Sequence, residues 1–76
     1  MEELVEYLAK SLVDKPGEVR VTREARDDAV VLQLRVAGED VGKVIGRQGR
    51  TARALRTVVR AGGAKTGERM LLEIVE

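Results

Sequence analysis

The sequence predicts a small two-layer α+β domain, a three-stranded sheet with helices packed on one face. Three observations predict it. Residues 18–25 and 29–37 alternate apolar and polar side chains and are separated only by Arg26-Asp27-Asp28, the pattern of a hairpin. Residues 3–13 and 50–61 carry apolar side chains at helical spacing, the mark of amphipathic helices. A final alternating run, 69–75, supplies a third strand. Strands gathered into one sheet with helices against it are the economical way to bury both kinds of apolar face.

Each element follows from its residues. In the first helix Leu4, Val5, Leu8 and Leu12 form the apolar side, and Glu3, Glu6 and Lys10 the other. Lys15-Pro16-Gly17 ends it, because proline disfavours helix in the residue before it and glycine permits the turn. Val19 and Val21 share one side of the first strand. Val30, Leu32, Leu34 and Val36 share one face of the second, opposite Gln33 and Arg35. Gly38-Glu39-Asp40 breaks that strand, and Asp40 is the expected N-cap of a short helix running to Val44 or Ile45. Ala52, Leu55, Val58 and Val59 are the expected core face of the helix over 50–61, with Gly62-Gly63 as its stop and Ala64–Gly67 as a loop. Met70, Leu72 and Ile74 face one way along the last strand.

Composition narrows the chemistry. At 76 residues the chain is one domain at most, and a domain of that size buries only about 60% of its unfolded surface. Its hydrophobic content, 43%, is aliphatic except for Tyr7. There is no cysteine and no histidine. Disulfides, thiolate metal sites and the commonest general base are therefore excluded, and no metal or cofactor is expected. The paired carboxylates Asp27-Asp28 and Glu39-Asp40 fall in a hairpin turn and at a helix start. Neither pair has a base or nucleophile beside it, so no catalytic residue is assigned. No run of about 18 apolar residues and no secretory signal occur, so a cytoplasmic protein without a membrane span is expected.

The net charge of +1 hides an asymmetry. Residues 1–18 carry five acids against two lysines, a net of −3, and residues 38–61 carry six bases against two acids, a net of +4. A local basic surface of this kind suits a polyanion.

That surface centres on Gly42-Lys43-Val44-Ile45-Gly46-Arg47-Gln48-Gly49-Arg50. Glycines at 46 and 49 remove Cβ atoms where the chain turns and where a ligand backbone would approach. The amides from Arg47 to Arg50 lie at the start of a helix, whose free N–H groups and dipole favour phosphate. Arg47 adds a cation within the turn, and Arg50 and Arg53 reach adjacent phosphates. Val41, Val44 and Ile45 form an aliphatic floor for a base, so phosphates give affinity and bases give specificity. A lone GxxG spacing is weak in a chain with eight glycines. The flanking Val44-Ile45, the cation in the turn and the order of elements give it meaning. Arg56 and Arg60 stand roughly 9–15 Å along the helix from Arg50 and are left outside the site.

Val44-Ile45-Gly46-Arg47-Gln48-Gly49 resembles the VIGxxG core of KH (K-homology) RNA-binding domains. The minimal strand–helix–GxxG–helix–strand unit corresponds to about residues 29–75, and the extra helix and strand within 1–25 resemble the type II form. The resemblance covers the whole chain, 1–76, as a single KH domain with the order helix–strand–strand–helix–helix–strand. It is similar to small bacterial proteins made of one KH domain. One position departs: many KH domains carry a larger aliphatic residue three positions after the second glycine, where this chain has Ala52.

The resemblance implies a non-enzymatic protein that grips about four nucleotides of single-stranded RNA. The implied contacts are Gly42, Lys43, Val44, Ile45, Gly46, Arg47, Gln48, Gly49, Arg50 and Arg53. It further implies an RNA chaperone or post-transcriptional regulator, and a homodimer or a heterodimer with another KH-containing RNA-binding protein. The alternative is a KH-fold interaction or assembly module, ribosome- or partner-associated, in which RNA binding is secondary. A helix-turn-helix DNA binder is disfavoured, because three flanking strands and an aliphatic GxxG turn have no role there.

Overall fold

A computed structural model describes residues 1–75. Helix α1 (Glu2–Leu12) leads through a 3₁₀ turn at Pro16–Glu18 into the hairpin β1 (Arg20–Arg26) and β2 (Ala29–Arg35). A second 3₁₀ turn, Gly38–Asp40, precedes the short helix α2 (Val41–Ile45). A third, Arg47–Gly49, joins α2 to α3 (Arg50–Thr66), and β3 (Met70–Val75) follows. The sheet order is β1-β2-β3. β1 runs antiparallel to β2 with Val21 opposite Leu34, and β3 runs parallel to β2 with Leu32 opposite Leu72. A parallel pair needs a long crossover, and here the crossover is the whole α2–turn–α3 segment. This is the expected α+β order of the type II KH fold.

The core lies between the helices and one face of the sheet. Leu32 and Leu34 of β2 are fully buried against Val5 and Ala9 of α1, Val44 of α2, and Leu55 and Val59 of α3. Met70 and Leu72 of β3 complete the layer. On the opposite face Gln33 accepts from Thr22 (3.4 Å) and donates to Glu73 (3.1 Å). Val31, on that same face, is nonetheless buried at 3% exposure, with Leu71 opposite it in β3. The outer face is therefore polar along one line and apolar along another, which alternation read from β2 alone does not reveal.

Several expectations need correcting. The buried residues of α1 are Val5 and Ala9, whereas Leu4 and Leu12 are exposed. The small side chain of Ala9 lets the helix sit close to the sheet, and the larger leucines flank it. In α3 Val58 is on the exposed side of the core face. Most important, Gly62-Gly63 does not stop α3, which continues to Thr66. Glycine inside a helix costs about 0.5–1 kcal/mol relative to alanine, but Gly63 is where α3 meets the start of β3. A Cβ there would lie 2.6 Å from the Glu68 carbonyl oxygen and 2.7 Å from Met70 Cγ. Close approach outweighs propensity. The real stop is Gly67, left-handed at φ 77°. Its N–H donates to Ala64 O and the Glu68 N–H to Gly63 O (2.8 Å), the paired bonds of a Schellman motif.

Candidate RNA-binding site

The backbone of the Gly46–Gly49 turn is set by its conformations before any side chain is considered. Gly46 stands at φ 77°, ψ 172°, a region open essentially to glycine alone. A Cβ at Gly46 would also fall within 2.7 Å of Thr51 Cβ. Gln48 (φ 57°) and Gly49 (φ 74°) are both left-handed, although a Cβ at Gly49 would meet nothing within 4 Å. Gly46 is thus required twice, by backbone and by packing, and Gly49 by backbone only.

The turn is tied at both ends. The Gly46 N–H donates to Gly42 O (2.9 Å), closing α2, and the Gly49 N–H donates to Gly46 O (3.1 Å). The Arg50 N–H donates to Arg47 O. Two of the four amides expected to face a phosphate are therefore used within the turn, leaving those of Arg47 and Gln48. No side chain caps α3, so its positive end is not already occupied by an acid.

The cations around the turn fall into two groups. Arg47, Arg50, Arg53, Arg56 and Arg60 lie along the turn and α3, and among the described residues none of them pairs with a carboxylate. Arg50 makes one long contact, Nη2 donating to Gln48 Oε1 at 3.4 Å. Lys43 belongs to the other group. Its ammonium pairs with the Asp14 carboxylate and lies 3.7 Å from Asp40 Oδ1. The hydrogen bond that the Lys43 ammonium donates to the Asp14 carboxylate raises the Lys43 pKa above its ordinary value, with desolvation pulling the other way. The chain has thus already supplied anions to Lys43, which the sequence placed among the phosphate contacts.

The aliphatic floor narrows as well. Val44 is fully buried in the core and has no surface to offer a base. Val41 and Ile45 are half-buried and keep an exposed edge. Gly42 is exposed with open space around its Cα. Asp40 sits at the N-cap position of α2 but makes no cap bond to it. Its carboxylate instead accepts from the Lys15 N–H (3.0 Å) and the Asp14 N–H (3.3 Å), a long-range role that local spacing does not signal. Farther along α3, Arg56 and Arg60 line an open groove of about 360 Å³ with Val31, Leu71 and Ile74.

The strand order, the parallel β2–β3 pair spanned by α2 and α3, and the glycine turn between those helices together define a KH domain of the type II order. The family model described as "KhpA/KhpB, KH domain" matches residues 2–74, and the chain belongs to that family. It is 51% identical to RNA-binding protein KhpA of Clostridium perfringens, over 99% of this chain and 100% of that protein. It is 55% identical to the protein of the same name from Treponema pallidum, over 99% of this chain and 94% of the relative. The KhpA of Aquifex aeolicus is 51% identical over all of this chain and 96% of its own length. Among solved structures, a variant of Aquifex aeolicus Era bound to GDP.AlF4- superposes with a TM-score of 0.60 at 16% identity. That match covers 96% of this chain but 28% of Era, and it bears on the fold alone. No helix among the described residues is long and apolar enough to cross a membrane.

Proposed function

We propose that the chain is a non-enzymatic, cytoplasmic RNA-binding protein, one KH domain over residues 1–76, that grips a short stretch of single-stranded RNA through the Gly46–Gly49 turn. The observation that carries this reading is the coincidence of a glycine-dictated turn with Arg47, Arg50 and Arg53, three arginines with no carboxylate partner among the described residues. Phosphates dock at the turn and the α3 N-terminus. A base rests on the exposed edges of Val41 and Ile45. One such groove reads few bases, so sequence preference is low and the role is that of an RNA chaperone or post-transcriptional regulator.

The test is the double substitution Arg47→Asp with Gln48→Asp, which puts two anions in the turn and leaves the glycines and the core untouched. Retention of a labelled single-stranded oligouridine is expected to be lost while the circular-dichroism melt is unchanged. Unchanged retention by a folded variant would sink the reading. Competition with single-stranded and duplex DNA distinguishes RNA preference from general polyanion binding.

An exposed apolar strip supports pairing with a second copy or with another KH-containing RNA-binding protein. Leu12 and Val58 stand 40% and 36% exposed beside a groove between α1 and α3 lined by Leu8, Ala54 and Leu55. A paired protein lengthens the RNA footprint and raises avidity. Light scattering on the wild type and on Leu12→Glu with Val58→Glu tests self-pairing, and a wild type that is monomeric at every concentration removes the second copy as the partner.

A further inference from the structure

Asp40 is the one buried charged residue among the described residues, at 1% exposure. A carboxylate taken out of water is costly unless its oxygens are satisfied, and here both are. Oδ2 accepts from the Lys15 N–H and Oδ1 from the Asp14 N–H, amides 25 and 26 residues upstream. Lys43 bridges Asp40 to the Asp14 side chain, and Lys15 pairs with Glu39. The segment leaving α1 is thus stapled to the first turn of α2.

That joint bears on the RNA turn because α2 is only five residues long. Isolated helices shorter than about 12–15 residues are marginal, so α2 holds its orientation only through what it touches. Val44 in the core, Val41 packed at its edge and the Asp40 carboxylate at its start hold it. Gly46 follows directly on Ile45, about 9 Å along the axis from Asp40 at 1.5 Å per residue. Over so short a rod a tilt at the Asp40 end displaces Gly46 as well, with Val44 as the pivot.

We infer that Asp40 is a positioning residue for RNA binding, coupling the α1–β1 linker to the Gly46–Gly49 turn through α2. The inference rests on the proposed RNA reading. Asp40 touches no RNA itself. It sets where α2 delivers the turn, so RNA binding and the staple strengthen each other. Thermodynamic reciprocity then requires that RNA stabilise the two amide bonds by the factor through which the staple raises RNA affinity, typically about 5- to 150-fold for coupled sites.

The experiment uses the full chain, Asp40→Asn and Asp40→Ala, with a labelled single-stranded oligouridine. In the wild type, RNA is expected to slow hydrogen exchange at the Asp14 and Lys15 amides severalfold. The folded Asp40→Ala protein is expected to bind about fivefold or more weakly, with Asp40→Asn between it and wild type. The dependence of affinity on salt should change little, since no phosphate contact is removed and Lys43 keeps its Asp14 partner. A purely structural Asp40 gives another pattern: a lower melting temperature, unchanged RNA affinity below it, and no RNA effect on the Asp14 and Lys15 amides. That pattern overturns the inference. Should Asp40→Ala not fold, the wild-type exchange measurement decides alone. A wild type that fails to bind the oligouridine refutes the RNA reading instead, a result distinct from binding that Asp40 does not influence.

Discussion

The cations of this chain divide by place. In α1, the linker after it, the sheet and its approach, and α2, Lys10, Lys15, Arg23, Arg26, Arg69 and Lys43 each sit beside a carboxylate, while Arg20 donates to the Gly17 and Val19 carbonyls. From the glycine turn along α3, five arginines have none among the described residues. Exposed ion pairs contribute little to stability, at most about 1 kcal/mol, so the paired set is a weak brace. The unpaired set gains no such brace and, by mutual repulsion, works slightly against the fold. With Lys65, α3 and its preceding turn carry six like charges that no carboxylate among the described residues neutralises, a surface suited to an external anion. The net charge of +1 conveys none of this, because the balance lies in which charges are already spent.

The strongest way to break the contrast is to neutralise the unpaired set near the turn. Arg47→Gln, Arg50→Gln and Arg53→Gln together are expected to lower affinity for single-stranded RNA about a hundredfold at ~0.1 M salt. The slope of log K against log salt should fall by about 2, at roughly 0.7 per phosphate contact. The matched change in the paired set, Lys15→Gln with Arg26→Gln and Arg69→Gln, should leave affinity within about twofold. Equal losses in the two variants, read by fluorescence anisotropy, would erase the distinction. A smaller effect is expected from Arg56→Gln with Arg60→Gln. These two stand roughly 9–15 Å beyond Arg50 along α3, so an oligonucleotide of about four residues should bind as before. One long enough to reach the groove beside β3 should lose about tenfold.

Smaller again is a change that converts a paired cation into an unpaired one. Asp14→Asn removes the acid that contributes most to raising the Lys43 pKa, leaves its ammonium only the longer contact to Asp40, and keeps the Asp14 and Lys15 amide bonds to Asp40. A gain in RNA affinity of about two- to threefold is expected, with no change in melting temperature. Unchanged or weaker binding would show that Lys43 does not face the RNA. The smallest effect is that of pH. With no histidine and no cysteine, no side chain has an ordinary pKa between about 5 and 8, and RNA affinity should be flat from about pH 6 to 9. The Lys15 and Lys43 pKa values are raised on folding. The stability those pairs add is fully present below the unfolded value of 10.5. It disappears as pH rises through the higher folded values, so alkaline titration should show their loss only above pH 10.5. A transition near neutral pH in either signal would refute this.

Much of the fold was legible because local and global preferences agree. Alternation in 29–37, helical spacing in 50–59 and the Pro16-Gly17 break each point to the element that forms. Where they disagree, the sequence misleads. Gly62-Gly63 reads as a helix stop, but Gly63 is needed for α3 to touch the Glu68 backbone, a contact that no local window contains. The turn itself was legible from its two glycines. What was not legible was the sorting of the residues around it. Lys43 and Arg47 look alike in sequence, yet only Lys43 lies beside acids brought from residues 14 and 40 by the tertiary fold. Val44 and Ile45 are equally aliphatic, and only the rotation of α2 puts the first inside and leaves the second at the edge. Asp40 reads as a helix cap because its nearest neighbours in the chain belong to α2, whereas its partners belong to the linker after α1.

The parallel pairing of β2 with β3 has a consequence for assembly. Val30 lies opposite Met70, so this ladder joins residues far apart in the chain, and the segment between them contains both helices that frame the glycine turn. Contacts of long sequence separation carry the larger loop-closure cost and slow folding. The hairpin of β1 and β2, joined by Asp27-Asp28, has no such delay. The last strand therefore acts as a latch: until Met70–Val75 docks, α3 has no sheet edge to lie on and the turn has no fixed floor. Hairpin contacts can therefore form before β3 docks, but the helices framing the glycine turn take their final places only once β3 has closed the sheet.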